Sequence, residues 1–213
     1  KRGSTMDIFE GKAAGYDSWF DENPLLLESE AEAIRQVMPE FRNGVEIGVG
    51  TGIFASRFGI GTGVDPSPDM GSWAERRGIR FVQGEAEALP LENAAYDLAL
   101  MVTVDCFLTD PEAAFREIHR VLQPGGKFVI AFLDRETELG AQYEQFKMED
   151  PIYCHATFHS AAEITALLER TGFRPEERRQ TVYTLVNESQ PVKEGNGGGV
   201  FAVIRAAVLP EGE

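Results

Sequence analysis

Three glycines at alternate positions, set directly after an apolar strand, constrain this chain more than any other feature. The run is Val45-Glu46-Ile47-Gly48-Val49-Gly50-Thr51-Gly52-Ile53-Phe54-Ala55. Its apolar start predicts a strand, and a helical pattern follows the glycines. Glycine carries no Cβ and accepts φ > 0, so backbone there can pass close to a ligand. Seventeen residues after Gly48, a second short apolar strand, Ile60 to Val64, ends in Asp65. A carboxylate in that place can accept two hydrogen bonds from a ribose diol, as in nucleotide-binding α/β folds. Together the two features predict a site for an adenosine-containing cofactor.

Spacing separates this loop from the dinucleotide fingerprint. That fingerprint needs G-x-G-x-x-G and seats a pyrophosphate on a helix N-terminus. Here the third glycine falls one residue early, and Ile53 takes the fingerprint's last position. Glu46 opens the loop; its carboxylate would repel a pyrophosphate but suit a cation.

The chain is long enough, at 213 residues, for one α/β domain with a full core. No apolar run approaches the ~20 residues needed to cross a bilayer, and no secretory leader is visible. Lys1-Arg2-Gly3-Ser4-Thr5-Met6 reads as a cloning remnant ahead of a native Met6, leaving 7–213 as a single domain. Two cysteines, Cys106 and Cys154, make no disulfide framework and suit a reducing cytoplasm, the expected location. Asp and Glu outnumber Lys and Arg by 35 to 20, for a formal charge of −15. Nucleic-acid binding rests on cationic side chains neutralising phosphates, and no Lys/Arg-rich run is present, so no nucleic-acid partner is expected.

Hydrophobic periodicity divides the rest. An N-terminal helical cap over 7–40 includes a helix from Pro24 to Val37, with Pro at its first position. Strands are expected at Gly44 to Ile47, Ile60 to Asp65, Ile79 to Val82, Tyr96 to Val104 and Lys127 to Leu133. Helices alternate with them: Thr51 to Phe58, Pro68 to Arg77, and one opened by Asp110-Pro111. Such alternation predicts a parallel sheet with right-handed crossovers. Residues 134–159 read as a lid-like insertion, a helix plus an aromatic loop. Ser160 and Glu163 form a capping box for another helix. Gln180 to Asn187 and Val200 to Val208 are expected to close the sheet as an antiparallel pair.

Four segments now stand in one order: VEIGVGTG, GVDPSPDM, QGEAEALPL and YDLALMVTVDCFLTDPEAAFREIHRVLQPGGKFVI. This set resembles the type 11, ubiquinone-biosynthesis-like, class I S-adenosylmethionine-dependent methyltransferases over about residues 44 to 133. The resemblance implies a Rossmann-like α/β fold: a seven-stranded, mostly parallel sheet with helices on both faces and an antiparallel last strand. It implies S-adenosyl-L-methionine as cofactor and S-adenosyl-L-homocysteine as product. By position, Gly48, Gly50 and Gly52 would lie under the methionyl part, with Glu46 near its ammonium. Asp65 would take the ribose hydroxyls, and Met70 would lie against adenine. Glu85 or Glu87 would accept from the adenine amino group, with the Ala86 N–H meeting the ring. Thr103 would flank the cofactor tail, and Tyr16 would close the pocket from the N-terminal segment. Met70 also fits plain helix core, Glu87 a solvated loop carboxylate, and Tyr16 plain packing.

Methyl transfer needs alignment and exclusion of water, and a general base only where the acceptor arrives protonated. The acceptor pocket is expected at the carboxyl ends of the strands, roofed by the N-terminal segment and 134–159. His155, in the lid, is the candidate base, because an imidazole titrates near neutrality; a hydrogen-bonded loop histidine is the plainer reading. His159 is expected to shape a turn and His119 to be partly exposed. The cysteines read as small hydrophobes, and no metal is expected. The predicted function is methyl transfer to a small-molecule acceptor. The alternatives are a non-catalytic cofactor-binding regulatory module and a nicotinamide-dependent oxidoreductase. Nothing in the sequence fixes the oligomeric state.

Overall fold

The structure, a computed structural model, describes residues 8–209; the remnant assigned to residues 1–6 lies outside them. Two helices open the fold, α1 (Ala13–Glu22) and α2 (Pro24–Val37). Strands and helices then alternate: β1 (Gly44–Ile47), α3 (Ile53–Phe58), β2 (Thr62–Asp65), α4 (Pro68–Arg76) and β3 (Arg80–Gln83). The central strand β4 (Tyr96–Val102) leads through α5 (Pro111–Val121) to β5 (Leu122–Leu133). Next come α6 (Glu138–Phe146), the 3-10 turns Lys147–Glu149 and Tyr153–His155, and α7 (Ala161–Arg170). Three strands finish it: β6 (Phe173–Thr181), β7 (Lys193–Glu194) and β8 (Phe201–Val208).

Short polar side chains fix where the helices begin. Ser67 accepts from the Met70 N–H at 3.3 Å, and Asp110 from the Ala113 N–H at 3.0 Å. At α7 the capping box is complete: Ser160 accepts from the Glu163 N–H, and the Glu163 carboxylate accepts from the Ser160 N–H at 2.8 Å. Each cap satisfies backbone donors that a helix start leaves unpaired, contributing about 1 kcal/mol.

The sheet runs β3-β2-β1-β4-β5-β8-β6-β7. Strands β1 to β5 pair in parallel, and β8 inserts antiparallel between β5 and β6. Both faces are covered. Leu98, Leu100 and Val102 of β4 pack with Ile34 and Phe54 on one side, and Ala99 and Met101 pack with Phe115 and Leu168 on the other. That double burial is why β4 reads as an unbroken apolar run. Chain order reverses between β1 and β4, which opens a crevice at their carboxyl ends.

The Rossmann-like fold class stands, with two corrections. The sheet has eight strands among the described residues, because the two-residue β7 pairs with Arg179 and Gln180 at its edge. The strand expected at 180–187 lies earlier, at Phe173–Thr181, in register with β8 from Phe173↔Val208 to Thr181↔Phe201. Its charged run, Arg174 to Arg179, is held by backbone pairing and cross-strand ion pairs such as Glu177–Arg205 at 2.6 Å. Among the described residues, no helix is long and apolar enough to cross a membrane.

Candidate active site

Beyond β1 the backbone turns through Gly48 (φ 72°), Gly50 (φ 51°) and Gly52 (φ 80°), all left-handed. The Gly48 and Val49 N–H groups both donate to the Val64 carbonyl, at 2.8 and 3.0 Å, tying the loop to the end of β2. The glycines differ in what they face. A Cβ on Gly48 would lie 2.3 Å from Val104 Cγ2, and one on Gly52 would lie 3.1 Å from Ala74 Cα. A Cβ on Gly50 would meet no protein atom within 4 Å, because Gly50 faces an open cavity. Across the crevice, Thr103 also lines the cavity with φ 53°, a costly conformation for a β-branched residue. Its N–H is held by the Ala131 carbonyl at 2.8 Å.

Asp65 locks the loop from the next strand. Its Oδ2 accepts from the Gly50 N–H and its Oδ1 from the Ser67 N–H, each at 2.9 Å. Burial pushes this carboxyl up to about 6; the two backbone donors oppose the rise and the charge of Glu85 adds to it. Glu46 is buried on β1, its carboxyl accepting from the Ala55 N–H. Its Oε2 has no hydrogen-bond partner, and burial pushes it well above the usual carboxylate range. A buried acid oxygen without a donor fits a cationic or donor group that binds there. The residues present therefore suit S-adenosylmethionine: bare backbone at Gly50, a diol-accepting carboxylate on β2, and an unsatisfied acid behind the loop.

The cavity measures about 860 Å³, and its walls run from the glycine loop to the two segments expected as cap and lid. It is lined by Gly48, Gly50, Asp65, Met70, Thr103 and Tyr16 of the predicted site residues. Glu46 and Gly52 lie behind that surface. Glu85, Ala86 and Glu87 are not on the cavity wall, and Ala86 is buried in the core. The Glu87 Oε1 instead accepts from the Thr109 and Asp110 N–H groups at 2.9 and 3.3 Å, pinning the loop that starts α5. Arg77 joins the N-terminal cap to the site by pairing with Asp17 of α1 and donating to the Thr51 carbonyl at 2.8 Å.

His155 is exposed and is not part of the cavity wall. His159 places Nδ1 2.8 Å from Oδ2 of the buried Asp105 and braces the lid's end against the loop after β4. His119 is partly exposed, its ring edge-on to Phe173. Both cysteines are free; burial raises the Cys106 thiol well above its ordinary value.

Among the cavity residues that escaped the sequence reading, Glu30 stands apart by the place of its charge. Glu30 lies on the α2 stripe formed by Leu26, Leu27, Ala33, Ile34 and Val37, all buried, and its side chain faces the cavity. A lone charge on the apolar stripe of an amphipathic helix is the signal that would have found it. Among the described residues its carboxyl has no hydrogen bond or ion pair. It is only half-buried by surface, because the cavity itself exposes it, yet it sits deep enough that burial pushes it up to about 8.

A family described as a methyltransferase domain matches residues 45–130. An uncharacterized protein of Methanocaldococcus jannaschii is 40% identical over 203 residues, 94% of this chain and 98% of its own length. A crystal structure from Thermotoga maritima, described as an S-adenosylmethionine-dependent methyltransferase and "possible histamine N-methyltransferase", is 41% identical. It superposes with a TM-score of 0.90 over 95% of this chain and 98% of its own. The ubiquinone/menaquinone biosynthesis C-methyltransferase of Rubrivivax gelatinosus is 33% identical over 132 residues, 57% of this chain and 53% of its own.

Proposed function

Because the chain belongs to the type 11 class I S-adenosylmethionine-dependent methyltransferases, we propose that it methylates a small organic acceptor held in the aromatic part of its cavity. One observation carries the acceptor size: the space beyond the glycine loop is a pocket lined by Tyr16, Phe20, Tyr143 and Tyr153, which suits a small molecule rather than a polymer. The acidic composition of the chain supports the same reading. When bound, the cofactor supplies a methyl group on a positive sulfonium, which passes in line to an acceptor lone pair while sulfur becomes a neutral thioether.

The chain's own residues hold and orient. Asp65 accepts the ribose hydroxyls while it keeps Gly50 in place, so sugar and loop are positioned by one carboxylate. Thr103 and Gly48 line the cavity beside the loop and would flank the cofactor's methionyl tail. Phe107, Tyr143 and Tyr153 shut water out of the acceptor side; Phe107 stacks on Tyr153 at 6.3 Å, and Tyr143 meets Tyr153 edge-on at 5.5 Å.

Incubating the protein with radiolabelled S-adenosylmethionine and a metabolite extract tests the reading. Label should move to a low-molecular-weight product and be absent with Asp65→Ala. Label found only on protein or nucleic acid would rule out a small acceptor. Failure to label any of several varied extracts would favour the non-catalytic module.

A further inference from the structure

Most of the cavity wall on the acceptor side is aromatic. Tyr16 and Phe20 come from α1, Tyr143 from α6, and Phe107 and Tyr153 from the loops that follow β4 and α6. Into this wall α2 places a single acidic side chain, Glu30, with no hydrogen bond or ion pair among the described residues. A carboxylate in apolar surroundings is costly unless a partner neutralises it. Aromatic faces around it attract cations rather than anions. Both features select the same ligand chemistry.

We propose that Glu30 is the acceptor-binding carboxylate of this enzyme, holding a protonated amine among the tyrosines and taking its proton. The inference rests on the methyltransferase reading and narrows the acceptor to small amines with an apolar body. The ammonium nitrogen donates to a Glu30 Oε, and its other faces lie against tyrosine rings. One N–H proton then passes to that Oε, turning an ammonium and a carboxylate into a neutral amine and a neutral acid. The nitrogen lone pair is thereby freed, and no charge is created in the apolar wall.

Other titratable groups face the same space and do not supply this role. Tyr16, Tyr143 and Tyr153 are each raised, chiefly by burial and in part by the Glu30 charge, so they stay neutral donors. Glu46 on β1 and Asp65 on β2 act on Tyr16 from the cofactor side. Lys147 is held by Glu144 at 2.6 Å and by the Ala156 carbonyl at 3.3 Å. Lys12 and Asp150 also line the cavity. Burial raises the Glu30 carboxyl, and no ion pair among the described residues offsets it. The empty site therefore holds a neutral acid at pH 7, and binding an ammonium expels its proton.

Calorimetry on the full chain tests this without turnover. S-adenosylhomocysteine is titrated first. Phenethylamine, tryptamine and histamine are then titrated into the loaded protein, beside phenethyl alcohol and 3-phenylpropionate. At least one amine should bind at pH 7 more tightly than the alcohol or the carboxylate. Repeating in buffers of different ionisation heat should show release of about one proton per amine bound. Glu30→Gln should weaken the amine by about tenfold or more and abolish the proton release, with S-adenosylhomocysteine affinity unchanged. The proton count on the wild-type chain needs no variant, so it stands even if Glu30→Gln misfolds. Failure to bind S-adenosylhomocysteine would overturn the cofactor reading, and this inference with it. Cofactor binding with no amine bound, with no proton released, or with amine affinity indifferent to Glu30→Gln would overturn the role of Glu30 alone.

Discussion

Asp65 stands between the loop that carries the glycines and the cavity onto which that loop opens. Two backbone donors hold it, so its carboxylate points the same way with or without a ligand. Replacing it with Ala removes hydrogen bonds to an ionised group, each contributing about 1.5–3 kcal/mol. Asp65→Ala should weaken S-adenosylhomocysteine binding by about a hundredfold in calorimetry while the far-ultraviolet circular dichroism stays native. Ribose hydroxyls donate to the ionised form, and burial has moved that ionisation up to about 6. Cofactor affinity should therefore fall as pH drops through about 6, in a titration series from pH 5 to 8. Gly50 and Asp65 were legible in the sequence because each is fixed by its distance from a strand end, whereas Met70 and Thr103 came from the family resemblance. Tyr16 depended on the resemblance. Glu30 was passed over as a site residue because acidic helix residues ordinarily face solvent, although its place on the apolar stripe of α2 sets it apart. His155 was legible only as a lid residue; which side of the lid faces inward is set by the packing of Tyr143 and Tyr153 against Phe158.

The glycine loop shows how an element divides one motif between packing and binding. Gly48→Ala would drive a Cβ into Val104 at 2.3 Å and keep a left-handed φ, so it should destabilise the whole chain by several kcal/mol, read by urea denaturation. Gly50→Ala meets no protein atom. It should cost only about 1 kcal/mol for its left-handed φ, yet lose most cofactor affinity, because the methyl occupies space meant for ligand. Equal losses of stability in the two variants would contradict that division. Helix starts at Ser67, Asp110 and Ser160 were readable in advance, since a cap is local chemistry. The strand Phe173–Thr181 was not, because its stability comes from pairing with Phe201–Val208 and from ion pairs to Lys127 and Arg205, which no local periodicity records. The edge pair at Lys193–Glu194 is two residues long and carries no pattern at all.

At the scale of the whole molecule, Glu30 and Asp65 line one cavity with Glu46 buried behind it, and all three carboxyls, from three elements, are raised by burial. The folded chain thus binds protons that the unfolded chain releases. Their contribution to stability is complete below the unfolded carboxylate range and is lost as pH rises through the folded values, about 6 for Asp65 and about 8 for Glu30. Thermal unfolding of the empty protein should show wild type and Glu30→Gln diverging between about pH 5 and pH 9, with the variant more stable at the alkaline end by at least about 1 kcal/mol. A constant difference across that range would mean that Glu30 ionises freely in the folded state. The strand order, the glycine loop and the carboxylate on β2 together make a site for a phosphate-free adenosyl cofactor, and everything proposed about the acceptor depends on it. Calorimetric titration of the wild-type protein with S-adenosylhomocysteine and, separately, with NAD tests that most directly. The account predicts one saturable site for S-adenosylhomocysteine and no heat from NAD; saturable NAD binding with no response to S-adenosylhomocysteine would contradict it.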